Sequence, residues 1–345
     1  MRLGIVGLPG SGKSTIFQAL TGSKVEQGAH KGSSIATVQV PDQRVDALSG
    51  LFKPEKTVFA RLEYLLPSGT RSYVPDGQSD ESFWSEARPC DALIHVVRNF
   101  HQPGGEDPRP REDFLKLETD MIFADLMVVE KRIERLDQDK KRGKETDAEE
   151  RQLLEACLSM LEAQNPLRDD PALAGAHQLK GYTFLSAKPL LLLFSNDDED
   201  KSLPAWDGPP ELSNALVIRG KLEMELAELP PEEAEEFSTA YQIEGFARDR
   251  VILHSCNVLG LIAFFTVVNK EVRSWMIPRG TPALEAADVI HSDMKRGFIR
   301  AEVIPCEDLL SAGSYQNAKK EGKVRLEGKT YVVQDGDLIT FHFNV

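Results

Sequence analysis

Nine residues near the N-terminus, Gly7-Leu8-Pro9-Gly10-Ser11-Gly12-Lys13-Ser14-Thr15, constrain this chain more than any other stretch. They fit the pattern G-x-x-x-x-G-K-[ST] in full, a pattern with mechanical content only between a strand and a helix. Both are predicted here. Arg2 to Val6 is a short β-type run, and Ile16, Ala19 and Leu20 share one helical face. Glycines at such a turn let consecutive backbone N–H groups face inward around a phosphate, and the helix start adds the positive end of its dipole. Gly7, Pro9, Gly10, Ser11, Gly12, Lys13, Ser14 and Thr15 are therefore the candidate phosphate-binding set. Lys13 supplies a point charge, and the Ser14 hydroxyl is a ligand for Mg²⁺.

Strand-like runs at Ile35 to Val40, Phe59 to Leu65, Ala92 to Val97, Pro189 to Ser195 and Leu216 to Ile218 continue the first one. Ala92 to Val97 is apolar throughout, as in a strand buried on both faces. Gln102 to Pro110, with three prolines and two glycines, has the composition of a linker. Beyond it Ile122, Leu126, Val129, Ile133 and Leu136 step by four and three, a heptad seam. Lys140 to Lys144 makes a charged turn, and Leu154, Leu158 and Leu161 resume the stripe, so an antiparallel hairpin is predicted over about 111–177. The heptad stripe reads as core packing or as a docking arm with a basic tip at Lys131-Arg132, Arg135 and Lys140 to Lys144. From about residue 263 the pattern is that of a small α+β domain. Strands are expected at Phe264 to Val268, Trp275 to Ile277, Tyr331 to Val333 and Leu338 to Phe343, with a helix over Pro282 to Lys295. With 345 residues, the chain is too long for one ordinary core.

Forty-one Lys and Arg against 55 Asp and Glu give a net charge of -14, which argues against wholesale coating of nucleic acid. Local basic clusters remain: Lys295-Arg296, Arg300, Lys319-Lys320 and Lys323 to Arg325 are phosphate contacts or a solvated face. No run reaches the roughly 18 apolar residues of a membrane span, so no membrane partner is expected. Cys90, Cys157, Cys256 and Cys306 are far apart and have neither zinc nor redox spacing. With no signal-peptide pattern after Met1, they read as buried reduced thiols of a cytoplasmic protein.

MRLGIVGLPGSGKSTIFQALTG resembles the opening of the YchF family, the Obg-like ATPases among the P-loop GTPases. VQVPDQRVDALSGLFKPEKTV, CDALIHVVRNF, ADLMVVEKRIERL and LLLFSNDDED are similar to successive family blocks. The stretch from Leu261 to Leu309 and EGKTYVVQDGDLITFHFNV resemble its TGS domain and lead-in. The resemblance implies an α/β P-loop NTPase domain with a mostly parallel sheet over 1–110 and 178–262. It also implies an inserted coiled-coil hairpin over 111–177 and a C-terminal β-grasp TGS domain over 263–345. It further implies ATP, with GTP possible, as ligand, Mg²⁺ as cofactor, and the ribosome or ribosomal RNA as partner.

The base-recognition motif of ordinary GTPases is N-K-x-D; its Asp reads the guanine edge and its Lys packs on the base and ties back to the P-loop. Here Asn196-Asp197-Asp198-Glu199 occupies the place. The resemblance carries Asn196 and Glu199, and Lys221 of Arg219-Gly220-Lys221, over as base-binding residues. The alternative for residues 197–200 is a solvated acidic turn. Two departures bear on turnover. Leu66 stands where the family's D-x-x-G motif has its Asp, with Gly69 kept, and Thr70 to Ser85 replaces the switch that follows. No switch I Thr is identifiable; an ungapped alignment lands on His30. Phosphoryl transfer is positioning plus charge neutralisation, so binding is expected to survive and hydrolysis to be weak or assisted. The alternative is a non-hydrolysing module. A small-molecule kinase is disfavoured because no Arg-bearing lid is evident.

Overall fold

The computed structural model describes residues 1–23, 32–68, 81–102, 104–205, 215–240 and 247–344. In chain order, β1 (Arg2–Val6) and α1 (Lys13–Thr21) flank the glycine loop. Then come β2 (Ser34–Gln39), α2 (Gln43–Phe52), β3 (Lys56–Val58), β4 (Arg61–Leu66), α3 (Glu81–Ala87) and β5 (Ala92–Asn99). The middle holds α4 (Pro110–Lys141), α5 (Ala148–Glu162), α6 (Pro171–Ala174), β6 (Leu190–Asn196) and β7 (Leu216–Ile218). Next are α7 (Gly220–Glu228), α8 (Pro231–Ala240), α9 (Ala247–Val258), β8 (Leu261–Val268), β9 (Glu271–Pro278), α10 (Ala283–Ile290) and α11 (Ser292–Arg296). The chain closes with β10 (Phe298–Pro305), α12 (Cys306–Ala312), α13 (Tyr315–Lys320), β11 (Arg325–Glu327) and β12 (Asp337–Phe343).

Two compact units result. One contains Met1–Thr37 and Glu63–Val251; the other contains Val38–Leu62 and Ile252–Val345. The first is built on a six-stranded sheet of order β2-β4-β1-β5-β6-β7. The pairs β1–β4, β1–β5, β5–β6 and β6–β7 are all parallel. Parallel strands need crossovers that cover both faces, which is why β5 and β6 are apolar almost throughout.

At about 1.5 Å per residue, the 32 residues of α4 span about 48 Å, and they serve two cores in turn. Leu117 and Met121 pack with Val6, Leu93 and Trp84, while Phe114 packs with Val97 and Phe194. Farther along, Ile122, Val129 and Leu136 meet Leu154, Cys157 and Leu161 of α5, with Leu126 and Ile133 at the margin. The heptad seam thus closes a hairpin core, extended by Leu167, Leu173, Leu179 and Phe184 beyond α5. Pro110 at the helix start, Glu112 and Asp113 in the first turn and Lys140 and Lys141 in the last suit the helix dipole.

Asp125 sits where α4 passes from one core to the other and is fully buried. Its carboxylate accepts from Leu185 N (3.0 Å), Ser186 N (2.7 Å) and Ser186 Oγ (2.8 Å). It also pairs with Arg88 at 2.9 Å. The guanidinium continues to the Thr183 and Ala124 carbonyls, so α4, the residue after α3 and the approach to β6 share one buried node.

The second unit has a sheet of order β11-β10-β12-β8-β9-β3. One face carries a core of Phe264, Ala283, Ala287, Phe298 and Val303. On the other, Val45 and Leu48 of α2 pack with Phe265, Ile304, Leu309 and Ala318. Residues 38–62 were expected within 1–110 of the nucleotide-binding part. They belong to the second unit instead: β3 joins the sheet edge beside β9, and α2 lends its apolar face to that core. Arg44 fastens the segment, donating to Asp42 Oδ1 (2.9 Å) and Asp335 Oδ2 (2.8 Å) while lying 5.1 Å over the Phe265 ring. Tyr331 to Val333 is not the expected strand; only an isolated bridge, Pro282 to Val332, forms there. All four cysteines are buried and free.

Candidate functional site

Parallel pairing brings the C-terminal ends of neighbouring strands to one edge. Val6 lies opposite His95, Asn99 opposite Asn196, and Ser195 opposite Ile218. The loops after β1, β5, β6 and β7 therefore emerge together, the place where open α/β sheets hold ligands.

The first of these loops is Gly7 to Gly12. Gly7 has φ +156°, and a Cβ there would lie 2.4 Å from Val96 O and 2.8 Å from Ser11 Oγ. Gly12 has φ +92°, with a Cβ 3.0 Å from Ser195 Oγ. A larger residue at Gly7 would have to move the β5 backbone, and one at Gly12 would crowd the Ser195 side chain in a left-handed conformation that L side chains rarely adopt. Gly12 starts α1 with no side-chain cap, so the first N–H groups of that helix face the loop. Ser11 Oγ is buried without a hydrogen-bond partner among the described residues. Lys13 is buried, its Nζ donating to Gly7 O (2.8 Å) and Leu8 O (2.6 Å). Burial pushes its pKa down to about 7. An anion set among these donors would restore the ammonium and meet a free helix N-terminus. Pro9, Gly10 and Ser14 are exposed and Thr15 half-buried. Phosphates fit this loop; a metal finds less support. Leu66 ends β4 as a buried apolar side chain rather than an acid. Among the described residues no group of three His, Cys, Asp or Glu could hold a metal ion. His30, Gly69 and residues 70–80 lie outside the described residues.

The loop after β6 is not a simple solvated acidic turn. Asn196 is buried; its amide donates to Ser202 O (2.8 Å) and Asp200 Oδ2 (3.1 Å), and its oxygen accepts from Asn99 Nδ2 (3.0 Å). Asp198 Oδ1 accepts from Leu222 N (3.2 Å), satisfying an N–H at the start of α7. Asp197 accepts from His101. Glu199 and Lys221 are exposed. Gly220 lies against Ser195, Ile16 and Thr15, which places the loop before α7 beside α1. Sequence reasoning missed Asn99, His101 and Gln102. It placed Gln102 at the head of a linker, yet Gln102 Nε2 donates to Gly10 O at 3.2 Å. Their position at the end of a buried parallel strand was the available signal.

Away from this edge, the basic clusters are largely answered by acids. Lys295 pairs with Glu285 and Asp288, Arg296 with Asp293, Lys323 with Glu321, and Arg132 with Glu150. Lys131, Arg135, Lys140, Lys141 and Arg142 are exposed towards the hairpin tip.

A parallel sheet whose first strand enters a glycine loop, with a helix beginning at the loop lysine, defines a P-loop protein of the α/β class. The family model YchF-GTPase_C, described as a protein of unknown function (DUF933), matches residues 261–344. The chain is 36% identical over 363 residues to "Ribosome-binding ATPase YchF" of Bacillus subtilis, covering 99% of each chain. It is 35% identical over 361 residues to the protein of that name from Escherichia coli O157:H7, covering 100% of this chain and 99% of the other. Among solved structures, the Schizosaccharomyces pombe YchF GTPase superposes with a TM-score of 0.80 at 26% identity, covering 99% of this chain and 97% of that one. The chain belongs to the YchF family.

Proposed function

We propose that this protein is a ribosome-associated P-loop protein that binds ATP in preference to GTP and turns it over slowly unless assisted. The observation that carries the reading is the loop itself: Lys13 buried within it, Gly7 in a turn that excludes a Cβ, Gly12 at positive φ, and an uncapped helix start. Gly7, Pro9, Gly10, Ser11, Gly12, Lys13, Ser14 and Thr15 surround the phosphates. Asn196, Glu199 and Lys221 flank the base, and Ser14 is the residue that would hold Mg²⁺. Bound there, Mg²⁺ would neutralise charge developing on the phosphate oxygens. The names of the bacterial relatives supply the ribosome; no helix among the described residues is long and apolar enough to cross a membrane. We further take the hairpin as a coiled coil, the C-terminal region as a TGS domain, and the protein as cytoplasmic.

ATP preference follows from the base loop. Its second position is an acid already engaged by His101, so it lacks the lysine that serves guanine-specific sites, and Glu199 is a methylene longer than Asp. A buried polar mismatch costs about 1–3 kcal/mol. A tenfold preference for GTP in parallel titrations would contradict this assignment.

Slow turnover follows from Leu66, a buried hydrocarbon where the metal's supporting acid is expected. The same observation favours a second reading, a sensor that binds and does not hydrolyse. Single-turnover hydrolysis with and without ribosomes separates them. The primary reading predicts a rate below about 0.1 s⁻¹ for the protein alone, raised by ribosomes; the second predicts no rise. Faster turnover by the protein alone would show that another residue has taken over the missing acid's role.

A further inference from the structure

Asn99, Phe100, His101 and Gln102 lie between the glycine loop and the base loop, and three of the four bridge them by hydrogen bonds. On one side, Gln102 Nε2 donates to Gly10 O at 3.2 Å. On the other, Asn99 Nδ2 donates to Asn196 Oδ1 at 3.0 Å. His101 reaches Asp197 twice: its backbone N–H lies 3.2 Å from Oδ2 and its ring Nδ1 2.8 Å from Oδ2. Through the peptide bond between His101 and Gln102, these contacts form a relay from Gly10 of the phosphate loop to Asp197 of the base loop.

The arrangement has a chemical reason. In an N-K-x-D loop the lysine donates its ammonium to a P-loop carbonyl and so holds the base loop in place. Here the same position is Asp197, which can only accept. The donors have moved to the neighbouring strand end: His101 supplies the base loop, and Gln102 supplies the glycine loop. Resting on the nucleotide-binding reading above, we propose that His101 and Asp197 are positioning residues of the nucleotide site, doing jointly what a lysine does elsewhere. The pair holds the base loop at the distance from the glycine loop that a nucleotide requires. It touches neither the phosphates nor the reacting atoms.

The charges around His101 are consistent with the role. Asp197 holds its pKa above the ordinary value, with Asp107, 3.9 Å from Nε2, acting the same way and Arg98 opposing. His101 is exposed and Asp197 half-buried at the surface, so their substitution should leave the fold intact.

The test is MgATP affinity for His101→Ala, Asp197→Ala, the double variant, Asp197→Lys, and Asp197→Lys combined with His101→Ala. Thermal midpoints are recorded alongside. Each alanine variant should bind MgATP about three- to tenfold more weakly, the worth of one net hydrogen bond. The double variant should be no weaker than the weaker single one. Asp197→Lys alone should be weak, because it faces His101; with His101→Ala the new lysine can reach the Gly10 carbonyl, and affinity should return towards the unsubstituted value. The ratio of affinities between the unsubstituted protein and His101→Ala should grow as pH falls from about 8 to 6, where the ring gains its proton. Equal affinities across the series, additive losses, or lowered midpoints with unchanged affinity would overturn the relay and leave the nucleotide reading standing. Failure of the unsubstituted protein to bind MgATP would overturn that reading and the relay with it.

Discussion

Asp125→Ala should be among the most damaging single substitutions in the first unit, and its cost can be worked from the node around it. The carboxylate is fully buried, while the Arg88 side chain opposite is 19% exposed. Removing the acid strands a guanidinium, the N–H groups of Leu185 and Ser186, and the Ser186 hydroxyl. Breaking a buried pair by deleting one partner costs about 3–5 kcal/mol, because the other charge stays buried. Arg88 can relax towards the Thr183 and Ala124 carbonyls it already touches, so the lower half of that range, about 3–4 kcal/mol, is expected. Asp125→Asn keeps the volume but turns an NH₂ towards donors, and about 2 kcal/mol should be lost. Urea unfolding followed by circular dichroism at the helical band is a suitable assay, because α4 and α5 contribute 32 and 15 helical residues. A double-mutant cycle with Arg88→Leu should show coupling above about 1 kcal/mol. A loss below about 1 kcal/mol for Asp125→Ala, with no coupling, would refute the claim that this node seats the hairpin on the sheet.

Two further substitutions probe stability. His95 is buried with neither ring nitrogen partnered among the described residues, stacked at 5.2 Å on Phe114, and burial drives its pKa down to about 3. A His with a depressed folded pKa contributes full stability above its unfolded value and loses it as pH falls. Unfolding from about pH 6.5 downwards should therefore steepen by about 1.4 kcal/mol per pH unit from this residue. His95→Phe should flatten that limb while changing stability at pH 8 by less than about 1.5 kcal/mol; an unchanged acid limb would contradict it. Arg44→Met removes the link between Asp42 and Asp335 and should lower the stability of the second unit by about 1–2 kcal/mol. A thermal scan showing no shift would mean that α2 is held by its apolar face alone.

Local features of the fold could be read from the sequence, and features that depend on which distant core receives a face could not. The strand, glycine loop and helix over Arg2 to Thr21 follow from nearby residues, and so does the seam of Ile122, Val129 and Leu136. Val45 and Leu48 announce an apolar helical face, yet nothing nearby says that the face belongs with Phe265 and Leu309, more than two hundred residues on. The three residues of β3 are too few to show a period. At the site, the glycine loop is legible as a turn between β1 and α1, because every residue that shapes it is local. The acidic run at 197–200 carried an ambiguity that only tertiary partners resolve. His101, Leu222 and Ser202 engage Asp197, Asp198 and Asp200, which leaves Glu199 as the exposed member of the run.

An equilibrium titration of MgATP into the unsubstituted protein and Lys13→Ala tests most directly whether the loop around Lys13 binds nucleoside triphosphate. The buried Nζ, donating at 2.8 Å and 2.6 Å to the Gly7 and Leu8 carbonyls, lies inside the loop where the phosphates would sit. Removing one member of a desolvated charge pair costs about 2–4 kcal/mol. The dissociation constant should therefore rise about 30- to 1,000-fold. An unchanged dissociation constant would contradict the assignment of this loop as the phosphate site.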